Sequence, residues 1–187
     1  MTQGIILAGG YSSRQHQNKM SLLYQNKELI LHVIETMNDF VDKIIVVTGH
    51  FHQEIYDLIS NTPKVEIIQN FNYDLGMFKS IQCAVTETSE DFFLIPGDYP
   101  FVKKSTYQAL LKEKGEFIVP SFNNKLGHPL LISKLMRQEI LQENCLSNLK
   151  IIRNRHQITY VNVQDEGILI DIDTVQDYEL FIRNRKD

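Results

Sequence analysis

Residues 4–19, GIILAGGYSSRQHQNK, decide the fold class. Ile5, Ile6 and Leu7 make an apolar run without in-and-out alternation, the pattern of a strand buried on both faces. Gly9 and Gly10 end the run, and a polar loop carrying Ser12, Ser13, Arg14 and Lys19 follows. Outward from this unit the pattern recurs, with strands expected at Gly4 to Leu7, Lys43 to Thr48, Val65 to Gln69 and Phe92 to Ile95. Helical spacing separates them. Ile30, Val33, Ile34, Met37 and Val41 share one face, a helix runs from about Phe51 to Ile59, and another opens near Met77 or Phe78. Strands alternating with amphipathic helices specify an α/β layer structure, and the four strands should be parallel neighbours.

After Pro100 the pattern loosens. It predicts a helix from about Lys104 to Lys114, a strand from Phe117 to Pro120 and an extended piece from Pro129 to Ile132. Two short helices, strands near Ile158 to Val163 and Gly167 to Ile170, and a closing helix from Val175 to about Arg183 complete the chain. This half should add a less regular sheet edge with room for an antiparallel strand.

The chain has 187 residues, 43% of them hydrophobic and 22% charged, and no Pro/Gly/Ser-rich linker or repeat divides it. One domain over residues 1–187 is expected. Nineteen basic against 23 acidic residues give a net charge of -4, without the basic excess that non-specific nucleic-acid or anionic-membrane binding requires. No apolar run approaches the ~20 residues of a membrane span. Gly9 and Gly10 arrive before a signal-peptide core develops, so a cytoplasmic location is expected. Cys83 and Cys145 lack metal-ligand spacing, and both read as reduced packing residues in helix-like stretches.

In open parallel α/β sheets the ligand crevice lies at the carboxyl ends of the strands. The Gly9-Gly10 loop can be a structural turn or a phosphate cradle; it matches neither a Walker A loop nor a G-x-G-x-x-G fingerprint. Asp98, between Pro96-Gly97 and Pro100, suits a hard divalent cation or stabilises a turn. Asp171 and Asp173 alternate onto one face, where they can meet Asp98, while Thr174 with Asp177 reads as a capping box. Gly76 opens a helix with Lys79 and Ser80 in its first turn, and Gly127-His128-Pro129 makes a turn where His128 can face a ligand. The other histidines show no metal-ligand spacing, and the absence of G-x-S-x-G disfavours a serine nucleophile.

Together these segments resemble the MobA-like nucleotidyltransferase family, in particular its molybdenum cofactor cytidylyltransferase branch. Leu7, Ala8, Gly9, Gly10, Ser12, Arg14 and Lys19 match the opening LA(A/G)G-x-S-x-R-M-G-x-x-K, with Gln15-His16 replacing Met-Gly. Gly76, Met77 and Ser80 match G-M-x-x-S; Gly97, Asp98 and Pro100 match G-D-x-P; Gly127 and Pro129 match G-x-P. Asp171, Asp173, Thr174 and Asp177 match D-x-D-T-x-x-D.

The resemblance implies a three-layer α/β/α, Rossmann-like fold with a mostly parallel, mixed sheet. It implies transfer of NMP from an NTP, CTP first and GTP second, to a phosphorylated acceptor such as molybdopterin, with release of pyrophosphate. The implied catalytic set is Arg14, Lys19 and Asp98, with Mg²⁺ held by Asp98 and Asp173. Nucleotide and acceptor contacts fall to Leu7, Ala8, Gly9, Gly10, Ser12, Thr48, Asn70, Ser80 and His128. Phe78, Tyr99, Phe101, Phe122 and His128 are the candidates to line a pterin cleft. A transient molybdoenzyme contact is implied, and no nucleic-acid or membrane partner. Two other readings remain open at this point. One is a cytidylyl- or uridylyltransferase acting on a sugar phosphate or other small phosphate ester. The other is a catalytically silent nucleotide- or cofactor-binding accessory protein.

Overall fold

A computed structural model describes residues 1–10 and 18–172. Strand β1 (Thr2–Ala8) leads to a small hairpin, β2 (Leu23–Tyr24) and β3 (Lys27–Glu28), and then to α1 (Leu29–Asn38). Next come β4 (Lys43–Thr48), α2 (His52–Ile59), β5 (Val65–Gln69), α3 (Met77–Thr86) and β6 (Asp91–Pro96). The second half contributes α4 (Lys104–Leu110), β7 (Phe117–Phe122), β8 (Lys125–Leu126), β9 (Leu130–Ile132), α5 (Arg137–Gln142), α6 (Leu149–Arg153) and β10 (Ile158–Asn162).

The main sheet has eight strands in the order β10-β7-β9-β6-β1-β4-β5, with β8 paired to β7. β6, β1, β4 and β5 are mutually parallel neighbours, as the continuous apolar runs require. β9 is antiparallel to both β6 and β7, which makes the sheet mixed, and β10 returns parallel to β7.

Alternate residues of each central strand serve opposite faces. Ile6, Ile44, Val46, Phe93 and Ile95 pack with α1, α2 and α4 through Ile30, Ile34, Met37, Ile55 and Tyr107. Ile5, Leu7, Ile45, Val47, Phe92 and Leu94 pack with α3, α5 and α6 through Phe78, Ile81, Ile140 and Ile152. Two cores on the two faces of one sheet make the three-layer α/β/α arrangement. At about 25 cal/mol per Å² of buried apolar surface, they are the main stabilising term.

The chain runs from β1 through β4 to β5, then crosses back to place β6 on the other side of β1. This reversal makes a switch point at the carboxyl ends of β1 and β6, where an open sheet parts to admit a ligand. The register sets Leu7 opposite both Val47 and Pro96, so the loops after β1, β4 and β6 leave at one level. Gly49 is required there, because a Cβ would lie 2.5 Å from the Gly9 carbonyl oxygen and 2.8 Å from Tyr73 Cβ.

Three expectations are corrected. Residues 166–169 form a 3-10 turn rather than the strand expected at Gly167 to Ile170, because Asp165 Oδ1 accepts from Gly167 N at 3.0 Å and coils the segment. The helix expected to reach Lys114 ends at Leu110, where the chain turns into β7. Cys145 sits in the turn between α5 and α6 rather than in a helix; Cys83 is on α3, and both are free thiols. Burial pushes the Cys83 thiol above its ordinary range, which disfavours the reactive thiolate. The expected helix after Val175 lies outside the described residues.

Candidate active site

At the switch point lies a cavity of about 590 Å³. Leu7, Ala8, Gly9 and Gly10 bring the end of β1 to it, and Pro96 and Asp98 bring the end of β6. Asn18, Lys19 and Met20 line it from a 3-10 turn, and Tyr73, Asp74, Gly76, Met77 and Ser80 from the start of α3. Gly76, at φ +101°, takes a backbone conformation that side-chain-bearing residues rarely adopt and turns the chain into α3.

Lys19 Nζ donates to Asp98 Oδ2 at 3.1 Å, with the two side chains 21% and 15% exposed. Partial burial strengthens this pair relative to a surface ion pair. Asn18 seats the lysine: its Oδ1 accepts from Met20 N at 3.1 Å and its main-chain oxygen accepts from Ser21 Oγ at 2.8 Å. The Asn18 Nδ2 group is buried with no hydrogen-bond partner among the described residues, a donor available to a ligand in the cavity. Sequence reasoning missed Asn18, although an Asn just before the loop lysine is a natural cap for such a turn.

The chain at Ile172 is bonded to the Asp98 loop, with Ile172 N donating to Asp98 O at 3.0 Å. Arg14, Ser12 and Asp173 lie outside the described residues. Among the described residues no group of three or more His, Cys, Asp or Glu side chains is arranged around one metal position.

Thr48 and Asn70 were expected in the binding surface, and neither lines the cavity. Thr48 is fully buried at the end of β4, where its hydroxyl donates to Ile68 O at 3.1 Å and meets His52 Nδ1 at 2.7 Å. Asn70 lies behind the wall, 3.0 Å from Ser80 Oγ through Nδ2. Lys79, the alternative cation on α3, does not line it.

His128 belongs to a second cavity of about 420 Å³, which shares Leu7, Met77 and Pro96 with the first. Phe78, Ile81, Leu130 and Leu149 give it apolar walls, with Asn148, Lys150 and Arg153 at α6. Burial holds the His128 imidazole down to about 4, against a hydrogen bond with the Leu94 backbone, and Arg153 adds to the lowering. The ring is therefore neutral near pH 7, and its Nδ1 is buried without a partner. Arg153 Nε is likewise buried and unpartnered. Of the aromatic residues expected at a pterin cleft, Phe78 lines this cavity and Tyr99 packs edge-on against His128 at 4.9 Å. Phe101 instead packs edge-on against Tyr24 at 5.1 Å, and Phe122 against the first core.

Comparisons with known proteins agree with this geometry. The family model of the MobA-like NTP transferase domain matches residues 4–158. The chain is 30% identical over 177 residues to the molybdenum cofactor cytidylyltransferase of Escherichia coli (strain K12), covering 93% of this chain and 92% of that one. It is 29% identical over 153 residues to the probable molybdenum cofactor guanylyltransferase of Natranaerobius thermophilus, covering 75% of this chain and 72% of that one. Among solved structures, a nucleotidyl transferase from Methanothermobacter thermautotroptrophicus superposes with a TM-score of 0.81 at 19% identity, over 98% of this chain and 97% of that one. The chain belongs to the MobA-like NTP transferase family and is a nucleotidyltransferase.

Proposed function

We propose that this enzyme transfers CMP from CTP to the terminal phosphate of molybdopterin or its molybdenum-loaded form, releasing pyrophosphate. Residues 1–187 act as one catalytic domain in the cytoplasm. The observation that carries the reading is the Lys19–Asp98 pair, at 3.1 Å, in a cavity built at the switch point of the sheet. The choice of CTP over GTP rests on the 30% identity to a cytidylyltransferase across 93% of the chain.

A phosphate acceptor is already anionic near neutral pH, so the reaction needs approach and charge neutralisation rather than a protein base. An oxygen of the acceptor phosphate attacks the α-phosphorus of CTP. The bond from that phosphorus to the bridging oxygen of the β-phosphate breaks, and pyrophosphate leaves with the electron pair. Amides after Gly9, with Lys19 and Arg14, hold the triphosphate and stabilise the charge that grows on the leaving group. Asn18 Nδ2 adds a neutral donor to the same wall. Ser12 and Ser80 contribute further nucleotide contacts.

Asp98, with Asp173, would hold a divalent cation, Mg²⁺ by this reading, which would supply positive charge against the repulsion between acceptor and triphosphate. The residues suit it: Asp98 offers a hard carboxylate at the cavity, and the main chain at Ile172 is bonded to the Asp98 carbonyl oxygen. A manganese complex is known for Rv0371c from Mycobacterium tuberculosis H37Rv, which shares this fold with a TM-score of 0.79 at 19% identity, over 97% of this chain and 98% of that one.

The second cavity receives the acceptor. Its apolar walls suit a flat heterocycle, Lys150 and Arg153 suit an anion, and its shared wall keeps the acceptor beside the triphosphate. A molybdoenzyme would then collect the product in a transient contact.

The test is pyrophosphate release with Mg²⁺, each of CTP, GTP, ATP and UTP, and molybdopterin or its molybdenum-loaded form. Release with CTP that requires the pterin is expected. Release with a sugar phosphate and none with the pterin overturns the acceptor, and a preference for GTP overturns the base.

A further inference from the structure

Asn70 stands just beyond β5, 3% exposed, and both ends of its amide are engaged inside the protein. Its Oδ1 accepts from the main-chain N–H of Asn72 at 3.0 Å. A main-chain N–H can only donate, so the amide is held in one orientation and Nδ2 faces Ser80 Oγ at 3.0 Å. Nδ2 in turn can only donate, which makes the serine oxygen the acceptor. The serine hydrogen must therefore point elsewhere, and no acceptor takes it among the described residues. Ser80 is 4% exposed and lines the first cavity directly under Gly9, where a Cβ would lie 3.2 Å from its oxygen.

We propose that Asn70 is a positioning residue that fixes Ser80 as a hydrogen-bond donor to the base of the bound nucleotide, through an unprotonated ring nitrogen or a carbonyl oxygen. The inference rests on the nucleotide-binding reading above. Asn70 does not itself touch the nucleotide; it decides which face of the serine hydroxyl the nucleotide meets. A buried hydroxyl whose polarity is set in advance rejects a donor placed opposite it, because one of the two hydrogens would then have no acceptor.

The substitution that reverses this polarity is Asn70→Asp. A carboxylate accepts only, so one oxygen keeps the Asn72 N–H and the other takes the Ser80 hydroxyl hydrogen, leaving a serine lone pair toward the cavity. The Kd for CTP with Mg²⁺, measured by calorimetry without any acceptor substrate, reads the consequence. With Asn70 in place, Ser80→Ala should weaken binding by about tenfold, the scale of one buried hydrogen bond. In the Asn70→Asp background Ser80→Ala should leave binding unchanged or tighten it. This change of sign separates a positioning role from a merely structural one. An equal loss in both backgrounds, or no loss with Asn70 in place, overturns the inference and leaves the nucleotide site standing. Failure of the unaltered protein to bind CTP, GTP, ATP or UTP overturns the nucleotide reading itself. Should Asn70→Asp not fold, Asn70→Ala serves instead: it frees the hydroxyl to rotate, and the cost of Ser80→Ala should fall below about threefold.

Discussion

The four parallel strands β6, β1, β4 and β5 end level with one another, whereas β9, β7 and β10 meet them in mixed directions. Level ends put Gly9, Gly49 and Asp98 on one rim, and reversal of chain order beside β1 opens that rim into a cavity. The mixed half closes the sheet edge and holds the Asp98 loop from behind through Ile172. The same residue type accordingly does different work in the two halves. Asp98 is partly exposed and faces the cavity, paired with a lysine that a phosphate can also use. Asp165 is 1% exposed and accepts from Lys103 N at 2.8 Å, Thr106 Oγ1 at 2.6 Å and Gly167 N at 3.0 Å.

That contrast is easiest to break at Asp98. Asp98→Ala and Lys19→Ala should each lower kcat by at least ~100-fold, the scale seen when a metal ligand or charge clamp is removed. The fold should survive in both, since the pair stands at a cavity rim. Full turnover in either variant, with an unchanged thermal melt, would show that the rim does not carry the chemistry.

Asp165→Ala should do the reverse. It strands two main-chain N–H groups and one hydroxyl in the interior, at a cost of about 3 kcal/mol in unfolding free energy. Denaturant titration measures that loss. The folded fraction should keep its KM for CTP, because Asp165 touches neither cavity. A tenfold rise in KM would mean that the mixed half shapes the nucleotide site directly.

The two halves also differed in how far they could be read from sequence. β4 and β5 run over the residues expected, and β1 and β6 differ only at their ends, because strands buried on both faces leave long apolar runs. The mixed half and the separate β2–β3 hairpin depend on short-range turn chemistry instead. Gln25 and Asn26 join β2 to β3 at φ 50° and 60°, and Asn123 and Asn124 join β7 to β8 at φ 49° and 61°. These two-residue hairpin loops are carried by residues that tolerate positive φ, and the Asn123-Asn124 pair was a readable signal. Gly167 to Ile170 looked like a strand because its apolar content was visible and its bond to Asp165 was not. At the site, glycines and charges after strands were legible from position alone. The orientation of the Asn18 and Asn70 amides was not, since it depends on which main-chain N–H lies opposite. The placement of His128 in a separate cavity depends likewise on how β9 and α6 pack.

The smallest expected effect sharpens the comparison in pH rather than in rate. His156 in the mixed half is held between Glu116, at 3.0 Å from Nδ1, and Glu139, at 2.6 Å from Nε2, while Arg155 reaches Glu139 at 3.3 Å and Glu143 at 2.7 Å. The bond to Glu139 raises the imidazole above its ordinary value of 6.5, and the same bond lowers the Glu139 carboxyl below 4.5. The raised imidazole stabilises the fold fully below pH 6.5 and loses that contribution as pH climbs through its folded value. The lowered carboxyl contributes fully above pH 4.5 and loses its contribution as pH falls through its own folded value. Stability from this cluster should therefore be greatest between the two, with Tm falling by a few degrees from pH 6 to pH 8.5. His156→Gln should flatten that alkaline fall and leave the pH dependence of CTP binding unchanged. His128, already neutral across this range with a value of about 4, should contribute nothing to the slope, so a fall that persists in His156→Gln would have to arise at neither of these two imidazoles.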